Sequence, residues 1–390
     1  MKTSLPRTVV VLGVVSFFTD FSSEMIYPLL PAFLTGVLGA GAAALGLIEG
    51  VAESTASLLK VYSGRWTDRT QRRKPFILGG YSLAGAVRPL IGLATTWTLV
   101  LGLRFLDRVG KGLRTAPRDA LIADAVPEAQ RGRAYGFHRS LDHAGAVVGP
   151  LAAAALLALE GVSLRHVFLL AALPAAVVVA LIVLGIHETP GAAPSSAGPR
   201  NLWQGWRDLG ADFRRLLLAV VVFTLGNSTD AFLLLSLTGA GVQPAWVAVL
   251  WSLHHGVKML ATYLGGSLAD RVGYRLPILG GWVLYALVYA GFSVANTAPA
   301  QVALFLLYGV YFGLTEPAEK AWVSRLVPPQ LRGTAFGWYH GAVGLGALPA
   351  SLLFGLLWQH AGAPTAFLTG AGLAASAALL LLRVQSRLQE

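Results

Sequence analysis

Apolar residues come in long runs along this chain, and polar residues collect at the breaks between them. As a helix, a run of roughly 20 apolar residues matches the hydrocarbon thickness of a bilayer. Reading the breaks predicts twelve helices, at 8–36, 43–64, 75–95, 97–119, 132–158, 163–186, 214–238, 244–268, 275–296, 299–325, 333–358 and 363–383. They are called spans 1 to 12 below. The pattern predicts an all-α polytopic membrane protein. Lys2 and Arg7 ahead of the apolar stretch 9–18 have the outline of a signal peptide. The apolar run continues past Asp20 to Leu34 with no clear small-residue cleavage site, so it reads as span 1.

The polar breaks alternate in charge. Those after spans 2, 4, 6, 8 and 10 carry Arg69, Arg72, Arg73 and Lys74; Arg131 and Arg133; Arg200 and Arg207; Arg271; and Arg332. Those after spans 1, 3, 7, 9 and 11 have no Lys or Arg, and the one after span 5 is near neutral, with Glu160 and Arg165. The positive-inside rule then predicts that both termini and the 187–213 linker are cytoplasmic, in a bacterial inner membrane. The linker begins rich in Pro, Gly, Ala and Ser. It then turns amphipathic around Trp203, Trp206 and Arg207, reading as a hinge that runs into an interfacial helix.

Composition supports this picture. The 390 residues are 55% hydrophobic and only 13% charged, with a mean hydropathy of +0.62, which leaves too little polar surface for a water-soluble protein of this size. The net charge of +11 is accounted for by the short loops, so nucleic acid is not an expected partner. There is no cysteine, hence no disulfide or thiol chemistry. No Gly-Lys-Ser/Thr phosphate loop is present, which argues against ATP hydrolysis.

The most informative stretch is the basic segment 64–73, with Gly64, Asp68, Arg69, Gln71, Arg72 and Arg73. A second copy holds Gly266, Asp270, Arg271, Gly273, Tyr274 and Arg275. Further pairs align. Arg131-Gly132 with Tyr135-Gly136 matches Arg332-Gly333 with Phe336-Gly337, and Ser22-Ser23-Glu24 matches Ser228-Thr229-Asp230. Duplicated six-helix halves of the same orientation predict bundles at 1–186 and 214–390 joined by the linker, the parallel-repeat architecture of secondary transporters.

On these residues the chain resembles the major facilitator superfamily over essentially its whole length. Segment 64–73 is similar to the family's Gly-x-x-x-Asp-Arg-x-Gly-Arg-Arg motif, with Gln71 in place of glycine. Arg104-Phe105-Leu106 leading to Gly110 and Gly112 resembles the span 4 motif of proton-coupled members, with Asp107 and Arg108 where Gln and Gly are usual. Gly145, Gly149 and Pro150 resemble the span 5 motif of antiporters. Pro28 and Pro31 resemble the end of span 1 in drug–proton antiporters. The resemblance implies the fold of that superfamily, a functional monomer, rocker-switch alternating access powered by the proton gradient without any bound cofactor, and a latch role for segment 64–73.

Ionisable side chains inside spans cost about 2.5–3.5 kcal/mol each on insertion scales and therefore mark candidate sites. On span 4, Arg104, Asp107, Arg108, Lys111, Arg114 and Arg118 fall on one face about 120° wide. Such a face lines a wet cavity or pairs with acids. Arg104, Asp107, Arg108 and Lys111 are candidate substrate contacts, with Arg88, His255 and Lys258. Asp20 and Glu24 share a face of span 1, as Glu49 and Glu53 do on span 2. A carboxylate at such depth is either ion-paired or protonated. Asp20, Glu24, Glu53, Asp142 and Asp230 are the proton-coupling candidates, a static ion pair to Arg104 or Arg108 being the alternative for the acids of span 1. His138 and Asp142 share a face, but the pattern does not specify a metal. Gly64, Asp68, Arg69, Arg72, Arg73, Asp270, Arg271, Glu316 and Glu319 are the candidate gate. Trp97, Trp246, Trp282 and Trp322, near span ends, read as an interfacial belt.

Together these features predict a proton-driven exporter of a small amphiphilic molecule or drug. Uptake by symport and lipid or lysolipid flipping on the same fold are the alternatives, and a polytopic lipid-modifying enzyme is a remote one. No catalytic residue is expected.

Overall fold

A computed structural model describes residues 4–30, 33–40, 42–186, 206–228, 230–242 and 244–384. Pro31, Thr229, the 187–205 part of the linker with Trp203, and the side chains of Glu49 and Trp246 lie outside the described residues.

Helices carry every predicted span, and there is no strand among the described residues. Spans 2, 4 and 5 are single helices at Ala42–Thr70, Trp97–Asp124 and Arg131–Leu157; spans 8 to 12 are single helices at Pro244–Val272, Arg275–Val294, Ala298–Arg325, Arg332–Ala361 and Ala363–Leu381. The other four are broken. Span 1 is helical over Arg7–Glu24 and continues as a tight turn, Tyr27–Leu29. Span 3, Lys74–Val87, gives way to the turn Pro89–Leu93, where proline supplies no backbone N–H. Span 6 is split into Leu164–Leu170 and Ala172–Gly185, and span 7 into Ala211–Gly226 and Ala231–Gly239.

Spans 2 and 8 run further than their hydrophobicity predicts. Gly64 to Thr70 and Gly266 to Val272 are helical, so most of each basic segment is the last turns of a helix and not a loop. Each helix then stops at a left-handed residue: Gly273, at φ +82°, and Gln71, at φ +50°. Glycine reaches this conformation freely, whereas a side chain does so at a cost of roughly 1–2 kcal/mol. Gln71 offsets part of it by donating its Nε2 to the Asp68 carbonyl at 2.6 Å.

Eight of the described helical segments are long and apolar enough by themselves to cross a membrane. Spans 2, 4, 7 and 8 are the remainder. Spans 2 and 4 carry the inward-facing charges, span 8 carries His254, His255 and Lys258, and span 7 is divided into short pieces. Large apolar side chains such as Leu184, Leu264, Leu287, Val294 and Leu379 are strongly exposed, as side chains that face lipid are.

The chain packs as two compact units that interleave in sequence. The first comprises Met1–Val126, Leu141–Gly205 and Pro329–Gly341; the second comprises Pro127–Ser140, Trp206–Pro328 and Ala342–Glu390. Spans 5 and 11 therefore each begin in one unit and end in the other. Within the first unit span 4 packs on spans 2 and 3, and span 6 on spans 1 and 3. Within the second, span 10 packs on spans 8 and 9, and span 12 on spans 7 and 9. Each pairing in one unit has its counterpart in the other, as the repeat predicts.

The cores differ in kind. The first unit has an aliphatic and phenylalanine core that includes Phe33, Ile91, Val167 and Phe168. The second is aromatic: Phe223 stacks on Trp282 at 4.9 Å, and Tyr285 on Tyr289 at 4.2 Å. Trp282 and Trp322 are fully or almost fully buried, which corrects their reading as belt residues. Position along a span sets depth; which face points inward is decided by packing.

The strained residue gives a direct test. Gln71→Gly should melt at or above the wild-type temperature in detergent. Gln71→Val should lose about 1–2 kcal/mol, because a β-branched side chain resists positive φ.

Candidate functional site

The two copies of the basic segment build the same joint in separate units. In the first unit, the Asp68 carboxylate accepts the backbone N–H groups of Gly333, at 3.0 Å, and Thr334, at 2.5 Å. These belong to the first turn of span 11, whose amides have no helical partner of their own. In the second unit, Asp270 accepts from Gly132 at 2.8 Å and Arg133 at 2.7 Å, the first turn of span 5. A carboxylate at a helix N-terminus satisfies orphan donors and meets the positive end of the helix dipole.

The glycine four residues before each aspartate makes this geometry reachable. It lies on the same helix face as the aspartate, one turn back. A Cβ on Gly64 would overlap the Gly333 carbonyl, and one on Gly266 would overlap the Gly132 carbonyl. The spacing Gly-x-x-x-Asp thus encodes a backbone-to-backbone helix crossing followed by a cap.

The joints are unequal. Asp68 is also paired with Arg73 at 2.7 Å, and Arg73 lies 3.8 Å from Asp124, which in turn pairs with Arg332. At the second joint, Tyr274 donates to the Glu128 carbonyl at 2.9 Å and Arg325 pairs with the Glu128 carboxylate at 2.7 Å. Arg275, which aligns with Arg73, donates instead to the Leu382 carbonyl. Arg69, Arg72 and Arg271, also candidate gate residues, are exposed.

Deeper in the first unit, Asp107 gathers the bases of spans 3 and 4. Its carboxylate stands 2.8 Å from Arg88, 3.5 Å from Arg104 and 3.8 Å from Arg108. Arg88 also donates to the Thr19 carbonyl of span 1 at 3.2 Å. Asp107, predicted as a substrate contact, is almost fully buried and acts as the counter-ion of this cluster. Lys111, Glu24, Asp20 and Glu53 are half-buried, and so better placed to meet a small molecule. Asp142 accepts from Ser16. Gly145 and Gly149 lie against span 1: a Cβ on Gly145 would overlap the Phe17 carbonyl, and one on Gly149 would crowd the Phe21 carbonyl and the Glu24 Cβ. Pro150 continues the same helix. The span 5 motif therefore fixes the approach to the carboxylates of span 1.

In the second unit, Asp230 sits at the break of span 7. It is 3.4 Å from Lys258 of span 8 and accepts from the Tyr308 hydroxyl of span 10 at 2.8 Å. Lys258 Nζ also lies 3.6 Å above the Phe312 ring, a cation–π contact. His255 lies against Trp251, 4.9 Å between ring centres and tilted by 55°. Glu316 pairs bidentately with Arg139 at 2.7 and 3.0 Å, and Glu319 accepts from Trp282 Nε1 at 3.3 Å.

Sequence reasoning did not single out Tyr308 or the 2.6 Å contact between His340 and Asp119 in the first unit. The repeat held a signal for the last: His340 aligns with Arg139, and both positions pair with an acid in their own unit. No signal pointed to Tyr308, a tyrosine in an aromatic-rich span.

The profile of the Major Facilitator Superfamily matches residues 12–257 and 231–390. An uncharacterised MFS-type transporter of Methanocaldococcus jannaschii is 32% identical over 387 residues, covering 97% of this chain and 95% of that protein. The multidrug resistance protein MdtH of Aeromonas hydrophila is 24% identical, covering 86% of this chain and 84% of its own length. Among solved structures, the fucose:proton symporter FucP of E. coli superposes with a TM-score of 0.79 at 15% identity, covering 97% of this chain and 98% of that one.

The caps predict a local readout. Asp68→Ala should lower hydrogen-exchange protection at Gly333 and Thr334 by about tenfold, the size of a lost helix cap. Asp270→Ala should do the same at Gly132 and Arg133. The Asp68 change should cost more overall stability, because it also removes the nearer carboxylate partner of the buried Arg73.

Proposed function

The chain belongs to the major facilitator superfamily and is an integral membrane transporter; on that premise we propose that it exports a small amphiphilic molecule in exchange for protons, by alternating access. One observation carries the reading. In both units the first span breaks at a carboxylate: span 1 leaves its α-helix at Glu24, and span 7 breaks just before Asp230. Discontinuous helices in corresponding positions of two repeats are where secondary transporters place their binding sites.

The chemistry of exchange follows from these groups. A carboxylate inside a membrane persists when it is ion-paired or protonated. Asp230 holds Lys258 and the Tyr308 hydroxyl while charged. A proton arriving on Asp230 removes the charge that holds Lys258, and loss of that proton restores the pair. Glu24, packed where Gly149 lets span 5 approach, is the matching group of the first unit. Outward transport is supported by the antiporter-like Gly145, Gly149 and Pro150, and by a relative named for multidrug resistance. We place the protein in the bacterial cytoplasmic membrane with both termini cytoplasmic, on the alternation of loop charge, and as a monomer, on the family resemblance. In this reading the joints at Asp68 and Asp270, both cytoplasmic by loop charge, are latches that hold that side closed in the outward-open state and release in the inward-open one.

Reconstituted liposomes with an imposed pH gradient test the proposal, using amphiphilic cations, organic anions and lysolipids as probes. Efflux should accelerate when protons flow the opposite way. Glu24→Gln and Asp230→Asn should each lose at least about tenfold of gradient-driven flux, or roughly 1.4 kcal/mol, while retaining part of the gradient-free exchange. Flux indifferent to every imposed gradient would overturn proton exchange, and acceleration by protons moving with the substrate would establish symport instead.

A further inference from the structure

Arg114 is a deeply buried base of the span 4 face for which no ion pair is seen among the described residues. The residue is only 6% exposed. Among the described residues no carboxylate lies within 4.0 Å of it, and its Nε has no hydrogen-bond partner. Its neighbour one turn on, Arg118, is committed to Asp119 at 3.0 Å. Asp107 is already shared by Arg88, Arg104 and Arg108. The flat face of Arg114 rests on the Tyr81 ring at 3.9 Å. That contact contributes about 2 kcal/mol when desolvated, less than the several kcal/mol needed to bury an uncompensated ion.

Arg114 lines a small cavity inside the first unit, together with Thr19 and Ser22 of span 1, Tyr81 and Arg88 of span 3, and Val178 of span 6. The lining contains two guanidiniums, three hydroxyl groups and no acid. The space open to the centre of a water-sized sphere is about 10 Å³, enough for about one particle. We propose that this cavity holds a single halide ion, chloride in the cell, as the counter-ion of Arg114. Ser22 and Thr19 direct their hydroxyls at the carbonyls of Ala171 and Val15, at 2.9 and 2.7 Å. A hydroxyl rotates to suit its partner, so both groups are able to turn and donate to an anion. Water would fit the space but would leave the Arg114 charge uncompensated. The aligned position in the second unit is Thr315, whose hydroxyl is satisfied by the Tyr311 carbonyl. The site therefore belongs to the first unit and was not part of the duplicated plan.

Thermal unfolding of the purified protein at constant ionic strength tests this. The melting temperature should be higher in chloride or bromide than in gluconate, and should rise saturably as chloride replaces gluconate. Arg114→Gln should raise the half-saturating chloride concentration by at least about tenfold, equivalent to 1.4 kcal/mol of binding. Equal melting in chloride and gluconate, or an unchanged chloride response in Arg114→Gln, would overturn the site and leave an ordered water there. Should that variant fail to fold, crystals of the wild type grown in bromide decide the matter: an anomalous peak beside Arg114 supports the ion, and its absence refutes it.

Discussion

Hydrocarbon solvates neither a charge nor an unpaired peptide group, so every polar atom that this chain carries into the membrane needs a partner inside the protein. The need is greatest at helix beginnings and on span 4. Spans 5 and 11 begin with amides that no earlier turn can satisfy, and Asp270 and Asp68 cap them. Span 4 brings more basic groups than any other helix, and Asp107 is shared among three of them. Backbone and side chain meet the same constraint by the same means, a buried carboxylate accepting several donors.

Duplication explains why the solutions recur and also where they diverge. The Gly-x-x-x-Asp spacing, the glycine contact and the cap are built twice. The surroundings are not. At the first joint Asp68, Arg73, Asp124 and Arg332 form a connected set of charges, while the second relies on Tyr274 and an exposed pair between Arg325 and Glu128. The cores differ likewise, aliphatic in the first unit and aromatic in the second.

The deep groups divide into those locked in buried ion pairs and those left half-buried. Arg88, Asp107, Arg118 and Asp119 are buried in ion pairs. Glu24, Glu53 and Lys111 are half-buried. Asp230 is intermediate in kind: its partners Lys258 and Tyr308 come from two other spans, so its charge state affects three helices at once.

Much of this was legible in the order of residues. Span number and position followed from apolar runs against a bilayer of known thickness, and the repeat followed from Gly64 and Asp68 recurring as Gly266 and Asp270. The motif carried its meaning locally, because a glycine and an aspartate four apart necessarily share a helix face. Helix ends were less legible. Spans 2 and 8 continue into their basic segments, since hydropathy registers where lipid ends, while helices stop at Gln71 and Gly273. What only the tertiary structure decided is which partner each charge meets. Asp107 looked like a cavity residue and is a counter-ion; Trp282 looked interfacial and lies in the core. Sequence sets depth and face through the helical period, but a partner on another span is fixed by how helices cross, and that depends on contacts distant in the chain.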